Sequence, residues 1–312
     1  MPEKLKTTFA VGMLALLLIC QLACGGGVSS QTFNAPAPPA PSPTPTPPPG
    51  PVTAYNHVFV VVEENHSYSE VVGNTSMPYF NSLISNYGLA TQYFADTHPS
   101  IGNYFVLTTG VVVTNNEATP PATVTADNVV RQVLALKKTW KSYAESLPSV
   151  GYLGGDVYPY AQHHNPFVFL QDAIAATQVN NIVPFSQFAT DVANNQLPNF
   201  GFIVPNQLNN AHDGTLAQAD TWLQKNIAPL IASTTFQKDG LLIITFDESD
   251  FSDLQNGGGH VATVVVSAHA KKGFQSTTFY QHGATLREIL HALGGTTFPG
   301  SAATATDMDE FF

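Results

Sequence analysis

Short apolar runs recur along the chain, and three of them end in groups that attract metal ions or phosphate. His57–Val62 runs into Glu63-Glu64-Asn65, Phe200–Val204 leads to His212-Asp213, and Leu241–Phe246 meets Asp247-Glu248. Runs this short and this rich in Val, Ile and Phe suit strands buried on both faces of a parallel sheet. Between them the pattern predicts helices around 77–87, 101–109, 126–146, 215–232 and 282–293, a nucleophile turn near 98–100, and further strands at 151–155 and 261–267. Residues 162–199, with Pro and many Asn and Gln, read as irregular or as a cap over the site. This alternation implies an α/β fold, a mostly parallel central sheet with helices on both faces. In such sheets ligands bind beyond the carboxyl ends of the strands, so one edge gathers carboxylates, an amide and histidines.

The first 52 residues follow other rules. Lys4 and Lys6 precede an apolar stretch from Phe9 to Ile19 that is short for a membrane span, which predicts a signal peptide over 1–23. Gln21-Leu22-Ala23-Cys24 followed by three glycines resembles a bacterial lipoprotein signal, with Gln21 where Leu is usual. An ordinary signal peptide with an incidental cysteine is the alternative. The only cysteines are Cys20 and Cys24, so cleavage before Cys24 leaves one unpaired thiol, which lipidation explains. Residues 24–52 are rich in Pro, Ala and Thr and read as a semi-rigid stalk, with one domain from 53 to 312. The expectation is an exported protein of the cell envelope or surface, with the membrane as a partner through the anchor.

Of the 312 residues, 22 are acidic and 11 basic, a formal charge of −11. That balance excludes a protein holding nucleic acid or anionic lipid by a broad basic face, so an anionic substrate needs local capture.

Glu63-Glu64-Asn65 offers hard oxygen donors for a divalent cation, although an acid-rich strand exit also serves as a solvated loop or helix cap. In Thr97-His98-Pro99-Ser100-Ile101-Gly102-Asn103-Tyr104 a hydroxyl stands at a helix start, where free N–H groups and the dipole favour phosphate. Ser100 is a candidate nucleophile, an N-cap, or both. Asp247-Glu248 after an apolar strand are costly unless a cation compensates them. Gly257-Gly258-Gly259 then reads as a flexible loop delivering His260 to the same edge. His164, His212 and His282 complete the inventory, each with catalytic and structural readings open.

Taken in order, Glu64-Asn65, Ser100 and Asn103, His212-Asp213, Asp247-Glu248 and His260 resemble the phosphoesterase family that groups acid phosphatases with phospholipase C enzymes, within the alkaline phosphatase-like superfamily. The likeness runs from Asn56 to Phe312, with Gly102 where the family often has proline. The resemblance implies that Glu64, Asn65, Asp247 and Glu248 hold a divalent metal ion (Mg, Ca, Mn or Fe) and that Ser100 is the nucleophile. It also implies that Asn103, His164, His212, Asp213 and His260 surround the phosphate. His282 is added as a substrate-binding candidate, and His260 or His212 as the general acid. The expected activity is acid phosphatase action on small phosphate esters, with phospholipase C or another phosphodiesterase as the alternative and an inactive binding protein as the third reading.

Overall fold

The computed structural model describes residues 54–312, so the expected signal peptide and the whole of the expected stalk lie outside the described residues. Ten strands are formed: β1 (His57–Glu63), β2 (Gly88–Ala90), β3 (Tyr93–Phe94), β4 (Trp140–Ala144), β5 (Ile182–Pro184), β6 (Phe200–Val204), β7 (Gly240–Phe246), β8 (Thr263–Val266), β9 (Phe274–Ser276) and β10 (Tyr280–Gln281). Eight make one sheet in the order β5-β4-β6-β1-β7-β8-β2-β9. β8 alone runs against the rest, pairing antiparallel with β7 and β2. β3 and β10 form a separate small ribbon.

The centre of the sheet is built from the runs that announce it. β7 reads Gly-Leu-Leu-Ile-Ile-Thr-Phe and every residue is buried. β1 pairs with it in parallel from His57 opposite Gly240 to Glu63 opposite Phe246. That register makes Glu64 and Asp247 leave adjacent strand ends side by side, tied by the Asp247 N–H donating to the Glu63 carbonyl at 3.0 Å. β6 flanks β1 on its other side, and the chain beyond it returns to the site where the Glu64 N–H donates to the Asn210 carbonyl at 2.8 Å. Helices Ser100–Thr109 and His282–Ala292 pack on each other. Among the described residues no helix is long and apolar enough to cross a membrane.

Two expectations are corrected. The long helix near 126–146 is a short helix, Val129–Ala135, followed by β4. Asn128 caps its start by accepting from the Arg131 N–H at 3.1 Å, and Lys137 turns the chain at φ +58°. Trp140-Lys141-Ser142-Tyr143-Ala144 then pairs with both β5 and β6. Residues 151–155 form no strand, since Gly151 sits in a turn at φ +68°. Residues 162–199 are more ordered than expected, holding three 3-10 turns, two helices and the edge strand β5. Their Phe167, Phe169, Phe185 and Phe188 are buried in the core.

Candidate active site

Glu63 ends β1 and Glu64 is the first residue beyond it, and their side chains point to different sides of the sheet edge. Glu63 faces away, toward Glu145 and Asp220, with neither carboxyl oxygen partnered among the described residues, and burial holds its pKa well above the usual range. Glu64 faces helix Ser100–Thr109, whose first turn supplies two hydroxyls. Ser100 Oγ lies 3.2 Å from Glu64 Oε2 and 3.3 Å from Asn65 Oδ1, and the Tyr104 hydroxyl donates to Glu64 Oε1.

The orientation of Asn65 defines the chemistry. Asn65 is held in the left-handed region at φ +48°, and its amide oxygen lies 3.1 Å from Glu64 Oε2 and 3.1 Å from Asp247 Oδ1. The two carboxylates, the Asn65 side-chain amide and the Ser100 hydroxyl therefore converge, and Asp247 Oδ2 has no partner among the described residues. Turning the amide over would make it donate to both carboxylates, which is how the cradle satisfies itself without a cation. With one, the oxygen-inward arrangement is favoured. The residues thus fit a divalent cation, for which all-oxygen donor sets are suited.

Glu64, Asp247 and Glu248 are fully buried. Burial raises the pKa of Glu64 well above its usual range, with repulsion from Asp247 next. Burial also pushes Asp247 up to about 7, and burial followed by repulsion from Asp247 pushes Glu248 up to about 10. A bound cation reverses this, because it favours the ionised carboxylates.

Glu248 reaches the site differently from the other three expected ligands. Its Oε2 lies 3.0 Å from His98 Nδ1 and 3.3 Å from Asn103 Nδ2, although Ser100 is near enough to lower its pKa. Asn103 is locked into the turn ahead of its own helix. Its oxygen accepts from the Asp96 and Thr97 N–H groups, and its nitrogen donates to the Thr97 carbonyl at 2.7 Å. Its amide is therefore committed to shaping the turn and is not free to hold phosphate. The same holds for His282, whose Nε2 contacts the Asp247 carbonyl at 2.6 Å and whose Nδ1 contacts the Tyr93 hydroxyl at 3.1 Å. With both nitrogens occupied, His282 braces the strand exit instead of facing a substrate.

The histidines divide into two groups. His164 is buried with Nδ1 3.2 Å from Glu64 Oε1, stacked on Tyr104, and its ring centroid is 6.0 Å from that of His212. Burial, reinforced by His163 and His212, holds it neutral. His212 is part-exposed, with Nδ1 2.7 Å from Asp213 Oδ1, an orienting carboxylate in place. His260, by contrast, is stacked between Tyr68 and Phe94 at centroid distances of 4.2 and 4.8 Å, with Nε2 3.0 Å from the Thr91 carbonyl. Among the described residues no hydrogen bond or ion pair joins it to Ser100 or to the carboxylates. The glycines before it are tightly packed, not flexible: a Cβ on Gly258 would lie 2.4 Å from the Thr97 carbonyl oxygen.

Three site residues escape sequence reasoning: His98, Tyr104 and Glu117. Glu117 Oε1 accepts from the Ile101 N–H at 3.2 Å, so a carboxylate takes the helix N-terminus expected to serve a phosphoryl oxygen. Its loop also accounts for Gly102, since a Cβ there would meet Asn115 Oδ1 at 2.2 Å and Thr97 Cγ2 at 2.5 Å. A side chain at Gly102 would therefore require Asn115 and Thr97 to shift.

Residues 74–294 match the phosphoesterase family. The chain belongs to that family. A phosphatidylinositol-3-phosphatase of Mycobacterium tuberculosis is 33% identical over 256 residues, covering 81% of this chain and 83% of that protein. An acid phosphatase of Aspergillus fumigatus is 32% identical over 249 residues, covering 76% of this chain and 54% of that protein, so the chain spans little more than half of the fungal relative. Among solved structures, the lipoteichoic acid synthase of Listeria monocytogenes superposes with a TM-score of 0.56 at 12% identity, covering 81% of this chain and 75% of that one. An alkaline phosphatase superfamily protein of Vibrio parahaemolyticus gives 0.51 at 12% identity, covering 78% and 67%. These likenesses establish the alkaline phosphatase-like α/β fold, and family membership makes this phosphoesterase a hydrolase of phosphate ester bonds.

Proposed function

We propose that the protein is a metal-dependent phosphatase that hydrolyses phosphate monoesters outside the cytoplasm through a phosphoserine on Ser100. The observation carrying this reading is the convergence of Ser100 Oγ, Glu64 Oε2, Asn65 Oδ1 and Asp247 Oδ1 at the start of a buried helix.

Glu64, Asn65 and Asp247, with Glu248 beside them, would hold the cation, which when bound supplies charge neutralisation and a lowered pKa for a coordinated hydroxyl. In this reading Ser100 Oγ, at the start of the helix, is the group that attacks phosphorus in line with the leaving oxygen. Neutral His164 stands beside Glu64, where it can donate to a phosphoryl oxygen without adding a charge to the buried site. His212, oriented by Asp213, gives its proton to the leaving alkoxide and then takes one from the water that cleaves the phosphoserine. His260 is set aside for this role because its ring is sandwiched and its Nε2 is occupied.

A second reading has a specific observation behind it: the monoester is carried on a lipid headgroup. Phe251 and Leu254, 60% and 69% exposed, lie on the loop after Glu248, and Phe251 stacks on His98. The mycobacterial relative is named for a phosphoinositide substrate. Phe167, Phe185 and Phe188 are buried, which gives a phospholipase C reading less support from this segment.

The deciding experiment compares a chromogenic phosphate monoester, the matching diester and a vesicle-borne phosphoinositide, with and without chelator, from pH 4.5 to 7.5. Chelator-sensitive monoester cleavage, a phosphoserine trapped at Ser100 by acid quench, and loss of at least about a thousandfold in kcat for Ser100→Ala are expected. Preferential diester cleavage would replace the reading with a phosphodiesterase, and no turnover with a binding protein. Export and anchoring rest on the N-terminal sequence, and Cys24→Ser is expected to move the protein from the membrane to the soluble fraction.

A further inference from the structure

Helix His282–Ala292 carries a second polar cluster toward its far end. Glu288 and His291 stand three residues apart, so they share a helix face, about 9 to 14 Å along the axis from His282. Asp309, on the C-terminal 3-10 turn Asp309–Phe311, meets them there. One donor atom from each of the three lies within 4.8 Å of the other two.

The cluster lacks internal satisfaction. Glu288 is fully buried, and while its Oε2 accepts from the Met308 N–H at 3.2 Å, its Oε1 has no partner among the described residues. His291 Nδ1 is 3.3 Å from Asp309 Oδ1, yet neither atom makes a hydrogen bond. The cation closest in sequence, Arg287, is directed elsewhere, to the Ala302 and Ala303 carbonyls and the face of Phe298. Burial, with Asp309 and Asp307 adding repulsion, raises Glu288 to about 8. Two carboxylates and an imidazole thus bring candidate donor atoms to ligand-to-ligand spacing, one of them the unpartnered Oε1 or the bonded Oε2 of buried Glu288.

We propose that Glu288, His291 and Asp309 bind a first-row transition-metal ion, zinc being the best match, at a structural site separate from the catalytic cradle. A Glu-x-x-His pair on one helix face is a recurrent way for helices to present metal ligands, and a mixed imidazole and carboxylate set suits zinc over magnesium or calcium. The ion would fasten the C-terminal turn to the helix whose first residue braces Asp247. That turn also covers the far sheet edge: Phe311 packs edge-on against Phe274, and Glu310 accepts from the Tyr280 hydroxyl at 2.6 Å.

The test uses the full chain, stripped with chelator and titrated with Zn²⁺, beside His291→Gln and Glu288→Gln. Part-exposed His291 tolerates replacement, and Gln at 288 keeps an acceptor for Met308, so one variant reports if the other fails to fold. The parent should bind one more equivalent of zinc than either variant, show imidazole scattering in zinc X-ray absorption that His291→Gln loses, and gain a zinc-dependent rise in Tm that both variants lack. Monoester hydrolysis should stay unchanged in His291→Gln. Equal zinc stoichiometry in parent and variants, or a Tm indifferent to zinc in the parent, would overturn the proposal and leave a His291–Asp309 pair beside a neutral Glu288. Neither result depends on whether Ser100 is the nucleophile.

Discussion

Two acids beside the same hydroxyl have opposite consequences. Glu64 belongs to the cradle, but Glu117 occupies the Ile101 N–H that an anionic phosphoryl oxygen would otherwise use. A carboxylate there competes with substrate. Glu117→Ala is expected to lower KM for a phosphate monoester about two- to fivefold, the range for a charge at a helix N-terminus, with kcat little changed. An unchanged KM would mean that Glu117 moves aside at no cost. Asp213→Asn tests the acid role of His212 by leaving-group dependence. Loss of about 10- to 100-fold in kcat is expected for alkyl phosphates, and much less for nitrophenyl phosphate, whose leaving group needs no proton. An equal loss on both substrates would assign Asp213 a structural role. Glu117 was not legible in the sequence as a site residue because nothing in its local pattern distinguishes it, and His98, though it stands in the nucleophile turn, had no readable partner. His98 meets Glu248 across 150 residues of chain, a juxtaposition that only the folded sheet edge creates.

At the level of elements, the site is an assembly of strand exits held together by backbone packing. Gly258 donates its N–H to the Ala95 carbonyl and accepts from the Ser249 N–H, joining the chain before the nucleophile turn to the chain after Glu248. A methyl at Gly258 strikes the Thr97 backbone, so Gly258→Ala is expected to cost about 2–4 kcal/mol of stability and to weaken cation binding in parallel. Urea unfolding together with metal titration measures both, and a neutral substitution would show that this loop yields. β1, β6 and β7 were legible because each is a compact apolar run, and the acids after them follow from the way parallel sheets expose their carboxyl edge. β4 was hidden because Trp140-Lys141-Ser142-Tyr143-Ala144 carries too few aliphatic residues to stand out after a helical stretch; its strand state comes from pairing on both sides. For Asn103 and His282 the sequence shows that polar groups arrive near the centre and not that their nitrogens are already hydrogen-bonded.

Across the whole molecule, buried carboxylates in a chain of formal charge −11 couple folding to pH and, in the proposed reading, to a cation. Asp247 is raised from 3.8 to about 7, and Glu64 and Glu248 are raised as well. In the cation-free protein the unfolded state ionises these groups first, so between about pH 4 and pH 7 it binds fewer protons than the folded state. Stability then falls as pH rises through that window, by at most about 1.4 kcal/mol per pH unit for each group. A bound cation holds the carboxylates ionised in the fold and removes the penalty, while its own affinity rises with pH because binding displaces protons. The expected outcome is a crossing of behaviours. With chelator, the urea midpoint should decline from pH 5 to pH 8, whereas with saturating divalent ion it should hold or rise, and the two curves should separate most at the alkaline end. Parallel curves would show that the cradle carboxylates do not take up the ion. The same coupling limits an acid phosphatase from below, since acid favours the histidine proton donor but empties the cradle, so chelator sensitivity should be greatest at the acidic edge of the activity profile.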